Sequence, residues 1–259
     1  MKERKKYILS LTAGLLAIII CSLCLFCSGD YVVYTAGKKR KKLPIYGVKR
    51  DDECLSISFD CAWGADYTDK ILDALDFYNV RCTFFVVQFW AEKYPEYLKK
   101  IVSRGHEIGT HSKTHPNMSK LTKAEIEEEL KSSVNAIESV TGKKVTLFRP
   151  PFGDYDDKVI TIAESLGLYT IQWNVDSLDW KNLSAEAIAV RVTKKAKSGS
   201  IILMHNNGLH TLESLPLIFS ATQQKGLVYR PIGELIYTDD FEITPDGTQI
   251  KNSENSNEH

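Results

Sequence analysis

The chain is expected to fold as an α/β domain on a parallel sheet, and three observations carry that expectation. Short β-branched and aromatic runs alternate with amphipathic helical patterns over about residues 45–238. The alternation yields about seven strand candidates, and the polar residues that interrupt the apolar runs fall at strand ends. Parallel strands need crossover helices, so the sheet is either doubly wound or closed as a barrel. The 259 residues, 43% hydrophobic and 25% charged, supply one sizeable core.

In order, "CLSISFD" reads as a strand ending at Asp60, and "YTDKILDALDFYN" sets Ile71, Leu72, Leu75 and Tyr78 on one helical face. "CTFFVV" is a buried strand, "AEKYPEYLKKIVSRG" a helix ending at Gly105, and "HEIGTH" a short strand. "LTKAEIEEELKSSVNAIESVTG" opens with the capping box Thr122-x-x-Glu125 and stops at Gly142. Strand "TLFR", helix "DDKVITIAESLG", strand "YTIQWNV", helix "SAEAIAVRVTKKAKSG", strand "SIILMH", helix "ESLPLIFSATQQKG" and a last strand near "VYRPI" complete the series.

The flanks differ from this body. Residues 1–6 are a short basic N-terminus, expected to be cytoplasmic. Residues 7–27 carry no charge over 21 positions, long enough for a transmembrane helix, and no cleavage-site pattern follows, so a membrane anchor is expected. Residues 28–44 read as a basic linker and 239–259 as a polar, disordered tail. Basic clusters at both ends of the span compete, so charge alone does not orient it. Residues 1–50 hold 11 Lys and Arg against 2 acidic residues, the remainder 22 against 31. The acidic body argues against nucleic acid, and the absence of a GxGxxG or P-loop pattern argues against nucleotide. Cys21, Cys24 and Cys27 belong to the span; Cys54, Cys61 and Cys82 read as buried free thiols.

Chemistry in α/β folds gathers at the C-terminal ends of the strands. There stand Asp60, His111 and His115, Arg149, Asp176 and Asp179, and His205, contributed by five strands. His111 and His115, four apart, can grip one metal ion, and Asp60 can take a proton from a water activated there. Arg149, stiffened by Pro150 and Pro151, can hold a carboxylate, and Phe152 offers the next backbone N–H to an oxyanion. An aspartate beside His205 raises its pKa and makes it a general acid; Trp180 can wall a groove for a sugar ring. His106, near a strand start, reads as structural.

Taken in order, "SFD", "HSKTH", "RPPFG", "DSLDW" and "LMH" resemble the five ordered motifs of the polysaccharide deacetylases, the NodB-homology or carbohydrate esterase family 4 enzymes. The resemblance covers Ser56 to His205. It implies a distorted (β/α)7 barrel and removal of N-acetyl groups from chitin-like or peptidoglycan sugars with a divalent metal, commonly zinc, with cobalt or another divalent ion as a substitute. By resemblance Asp60 is the base, His111 and His115 are metal ligands, Arg149 orients the base, the Phe152 N–H completes the oxyanion hole, and Asp179 tunes the acid His205. The "FD-x-x-WG" form resembles the sporulation-associated, PdaB-like branch, which lacks the usual third ligand, an aspartate; Cys61 stands in that place. Three completions stay open: a Cys61 thiolate, Asp66 reaching back from the loop, or a two-histidine site closed by water or Asp60. The implied protein is an anchored, extracytoplasmic, single-pass membrane deacetylase of wall glycan, active in spore formation. The competing reading is a catalytically silent wall-glycan-binding homologue that has lost its metal.

Overall fold

The computed structural model describes residues 41–252. Its central strand is β2 (Cys54–Cys61), all eight residues buried. Successive side chains of a strand point to opposite faces. Leu55, Ile57, Phe59 and Cys61 therefore join the core shared with the helices, while Ser56, Ser58 and Asp60 face the other way. The helix-side core includes Ile71, Leu98, Ile126 and Phe219, and burying it drives the association of the two layers.

Around β2 run β3 (Thr83–Val86), β4 (Glu107–Thr110), β5 (Leu147–Phe148), β6 (Tyr169–Thr170), β7 (Val175–Asp176) and β8 (Ile201–His205). The order is β6-β5-β4-β3-β2-β8-β7, every pairing parallel. A short β9 (Val228–Tyr229) pairs with the start of β2. The crossovers are α1 (Thr68–Phe77), α2 (Gln88–Lys93), α3 (Pro95–Ser103), α4 (Lys123–Thr141), α5 (Asp157–Ser165), α6 (Ala185–Lys195) and α7 (Thr211–Gln224); α8 (Ile232–Leu235) follows β9. The expected helix over 91–105 divides at Pro95, which starts α3 at the position where proline's missing N–H is harmless. The capping box of α4 forms, and Gly142 closes it at φ 63°.

Two expectations are corrected. "YTIQWNV" is not one strand. It breaks into β6 and β7, which lie on opposite edges of the sheet, and the four residues 171–174 carry the chain between them. Five Cα steps reach at most about 18 Å, so the sheet curls until its edges nearly meet. The expected distorted (β/α)7 barrel is an open half-barrel of parallel strands with a seam between β6 and β7. Pro44 and the next residues cover part of the seam, with Ile45 bridging Ile171. The second correction concerns the C-terminus. Instead of a disordered tail from 239, β10 (Phe241–Ile243) and β11 (Thr248–Lys251) form a hairpin, and β11 pairs in parallel with β1 (Gly47–Val48). The turn chemistry of "TPDG" ends in Gly247 at φ 85°, a conformation glycine adopts without a Cβ clash. Residues 253–259 and the proposed span 7–27 lie outside the described residues; among those described, no helix is long and apolar enough to cross a membrane.

Gln249 anchors the hairpin. Its fully buried amide accepts from the Tyr237 N–H at 2.8 Å and donates to the Tyr237 carbonyl at 2.7 Å. Gln249→Ala removes both hydrogen bonds, and urea denaturation is expected to show a loss of about 1–3 kcal/mol.

Candidate active site

Arg149 follows β5 and is wholly buried. Its Nη1 donates to Asp60 Oδ1 at 2.7 Å and its Nη2 to the Gln172 carbonyl at 3.2 Å. The guanidinium lies 4.1 Å from the centre of the Phe85 ring and 5.7 Å from that of Trp173. Phe85 has room to lie there because Gly109 stands beside it: a Cβ on Gly109 would come within 2.6 Å of that ring. Burial alone would raise the Asp60 carboxyl, but the charges of Arg149, His111 and His205 outweigh it and hold Asp60 below the ordinary carboxylate value. Asp60 is therefore an anion with a fixed orientation.

His111 Nδ1 is 2.7 Å from the Arg149 carbonyl oxygen, which can only accept. Nδ1 thus carries the proton, and the bare Nε2 faces Asp60 Oδ2 at 3.6 Å. Burial lowers the His111 pKa, and burial with the nearby His111 takes His115 to about 4, so both imidazoles are neutral. Their ring centres are 4.9 Å apart, and the ring centres of Phe152 and Trp63 lie 4.6 and 5.0 Å from that of His115 in T-shaped contacts. Two neutral imidazoles with a carboxylate oxygen facing one of them are a donor set for a divalent cation such as zinc. Bare acceptors turned toward one another with no donor between them are otherwise unfavourable. The residues present therefore fit a cation at His111 and His115.

Cys61, one of the two protein groups expected to complete the site, does not face it. Cys61 is the last residue of β2, so strand alternation turns it from Asp60 into the helix-side core, where its Sγ lies 3.8 Å from the Phe59 carbonyl. Burial pushes its thiol well above the usual value. The thiolate reading is overturned. Asp66 is exposed on the cavity wall, and among the described residues no three His, Cys, Asp or Glu side chains are arranged to hold a metal.

Across the cavity, His205 ends β8. Its Nδ1 meets Asp179 Oδ1 at 2.7 Å; Asp179 Oδ2 accepts from the His205 backbone N–H at 2.8 Å and from Thr211 Oγ1 at 2.6 Å. Asp179 is fully buried and so saturated with donors on both oxygens. Burial would lower the His205 pKa, but the Asp179 hydrogen bond and charge, with Asp60 beyond, raise it above the ordinary histidine value. Asp176 instead accepts from the Leu178 N–H at 2.9 Å and shapes the turn that delivers Asp179. His106 lies outside the site, buried against Cys82 at 3.6 Å, with burial lowering its pKa to about 4.

Asp60, Asp66, His111, His115, Phe152, Trp180 and His205 line one cavity of about 730 Å³. Trp63, Phe152 and Trp180 keep 63%, 67% and 54% of their surface exposed around it, an apolar lining suited to sugar rings. Sequence reasoning missed Trp63, Trp173, Phe85 and Thr211. Only Trp63, an aromatic in the loop directly after Asp60, left a signal; the others act from within elements whose own patterns explain them. Four loop residues here, Ser112, His115, Phe152 and Leu178, hold φ between 55° and 73°. For side chains other than glycine this is strained by roughly 1–2 kcal/mol each, strain that gathers at functional sites.

Residues 47–171 match the family model for polysaccharide deacetylase. The uncharacterized protein YlxY of Bacillus subtilis is 36% identical over 193 residues, 74% of this chain and 60% of that relative. A peptidoglycan-N-acetylglucosamine deacetylase of Bacillus cereus is 31% identical over 194 residues, 73% of this chain and 91% of the relative. Among solved structures, BA3943 of Bacillus anthracis, a CE4 family pseudoenzyme, superposes with a TM-score of 0.72 at 35% identity, covering 74% of this chain and 68% of that one. A mutant of the same protein has restored enzymatic activity.

Because Asp179 holds the His205 proton, Asp179→Asn removes the charge that raises its pKa. An NMR titration of His205 is expected to move to lower pH in that variant, while the Asp60 titration stays below the ordinary carboxylate range.

Proposed function

Because this chain belongs to the polysaccharide deacetylase family, we propose that it is a metal-dependent hydrolase that removes N-acetyl groups from peptidoglycan-type amino sugars. The observation that carries the reading is the convergence, on one aromatic-lined cavity, of an arginine-held carboxylate, a neutral histidine pair and an aspartate-held histidine. A glycan-binding surface needs the aromatics but has no use for a fixed anion opposite a proton-loaded imidazole.

His111 Nε2 and His115 would hold the cation, which when bound polarises the acetamide carbonyl and acidifies water. Asp60, kept ionised by Arg149, accepts the proton of the attacking water. The developing oxyanion is met by the Phe152 N–H, the first donor after two prolines that have none. His205, protonated at Nε2 because Asp179 occupies Nδ1, delivers its proton to the departing amine. The C–N bond breaks, acetate leaves, and the free amino sugar remains in the chain. Trp63, Phe152 and Trp180 exclude water and stack the sugar.

The sign of the pH dependence follows from the two groups. Asp60 must be ionised, and its pKa lies below the ordinary carboxylate value, so activity falls only in acid. His205 must be protonated, and its pKa lies above the ordinary histidine value, so activity falls only as pH rises through that raised value. A wall-glycan substrate would be met outside the membrane, which supports residues 7–27 as an anchor for an extracytoplasmic domain, and the resemblance of "FD-x-x-WG" to the PdaB-like branch supports a role in spore formation.

Zinc-loaded protein is expected to release acetate from acetylated peptidoglycan fragments, to lose that activity on chelation, and to regain it with zinc. Asp60→Asn is expected to lower kcat about 10²–10⁴-fold with glycan binding retained. Absence of both stoichiometric zinc after metal supplementation and acetate release above background would instead support the silent, glycan-binding homologue.

A further inference from the structure

The turn that carries the histidine pair is held from outside the cavity by one acidic side chain. Glu129 projects from α4 and is nearly buried, 9% exposed. Its Oε2 accepts from the backbone N–H groups of Lys113 at 2.9 Å and Thr114 at 2.8 Å, and its Oε1 from Thr114 Oγ1 at 2.6 Å. All three donors lie between His111 and His115. Inside the turn the Ser112 N–H donates to Thr110 Oγ1 at 3.2 Å and the His115 N–H to Ser112 Oγ at 3.0 Å, and Thr110 Oγ1 ties this segment to the same helix by donating to Ser133 Oγ at 2.7 Å.

We propose that Glu129 is a positioning residue for the metal-binding histidines, fixing the 112–115 turn so that His115 stays against His111 and Phe152. The turn needs such a clamp because Ser112 and His115 sit at φ 73° and 61°, conformations that neither residue adopts by preference. Without acceptors for Lys113 and Thr114, the turn relaxes toward ordinary backbone angles and carries the His115 ring out of the place where it lies 4.6 Å from Phe152. Each carboxylate oxygen has a distinct task, since one gathers two adjacent amides and the other the hydroxyl. Groups that orient metal ligands without touching the metal change affinity by about 10–100-fold when removed. The inference that affinity changes rests on the proposed role of His111 and His115; the inference that the turn moves does not.

The test compares Glu129→Ala, Glu129→Gln and a control, Ile137→Val, which trims the buried face of the same helix away from the turn. Proton NMR of the metal-free protein reads the His115–Phe152 ring contact, and titration calorimetry reads zinc affinity. Glu129→Ala is expected to lose the contact and about 10–100-fold in affinity. Glu129→Gln is expected to keep both, because its amide can turn oxygen to the two N–H groups and NH2 to Thr114 Oγ1. Ile137→Val is expected to keep both while lowering Tm. The proposal is overturned if Glu129→Ala retains the ring contact, or if Ile137→Val loses it equally. Should wild type bind no zinc, the metal reading fails and the ring contact alone decides the role of Glu129. Should Glu129→Ala not fold, Thr114→Val, which removes one donor, decides: an unaltered ring contact in that variant overturns the proposal.

Discussion

The buried pair of Arg149 and Asp60 is the interaction on which the site depends. Arg149 belongs to the segment after β5, Asp60 to β2, and the same arginine reaches the Gln172 carbonyl in the seam between β6 and β7. Its own carbonyl accepts from His111, and its N–H bonds the Thr110 carbonyl of β4. One residue thus registers four parts of the half-barrel around a point of negative charge. Buried ion pairs seldom stabilise a fold relative to apolar packing, but losing one partner leaves an uncompensated charge at about 3–5 kcal/mol. Such a pair is kept for what it orients. Here it orients a carboxylate that lines the cavity.

The two halves of the cavity have opposite proton economies, set by surroundings more than by residue type. His111 and His115 are desolvated without an anionic hydrogen-bond partner on their ring nitrogens, so they stay neutral and offer lone pairs. His205 is also desolvated, yet Asp179 on its Nδ1 outweighs the burial and raises its pKa above the ordinary histidine value. Three histidines in one cavity are therefore shifted in opposite directions through a single carboxylate. Asp179 can hold that position because Gly208 leaves it space: a Cβ there would meet Thr211 Oγ1 at 2.2 Å and Asp179 Oδ2 at 3.2 Å.

Much of this was legible in sequence, for a physical reason. Burial on one face imposes period two on strands and 3.6 on helices, so β2 and α4 announced themselves, and the polar residues breaking those patterns marked the strand ends. The short edge strands were less legible. Tyr169–Thr170 and Val175–Asp176 are two residues each, and a continuous apolar run does not show where a chain leaves one edge of a sheet for the other. The C-terminal hairpin was hidden because its strands are mostly polar; its stability comes from Gln249 and from pairing with a strand 200 residues earlier in the chain.

By itself the sequence determined the alternating layers, the order of the strand-end residues and their chemical types, because these follow from local periodicity and side-chain chemistry. Asp60, His111, Arg149, Asp179 and His205 could be named that way, each at the end of its own run. Only the tertiary structure decided which of them touch, which proton each holds, and whether Cys61 takes part. Strand alternation turned that thiol into the core, and no local pattern could weigh its burial against the pull of a metal. Where groups distant in sequence share a cavity, their pKa values and partners belong to the assembled environment, and that exists only once the sheet has curled and brought its edges together.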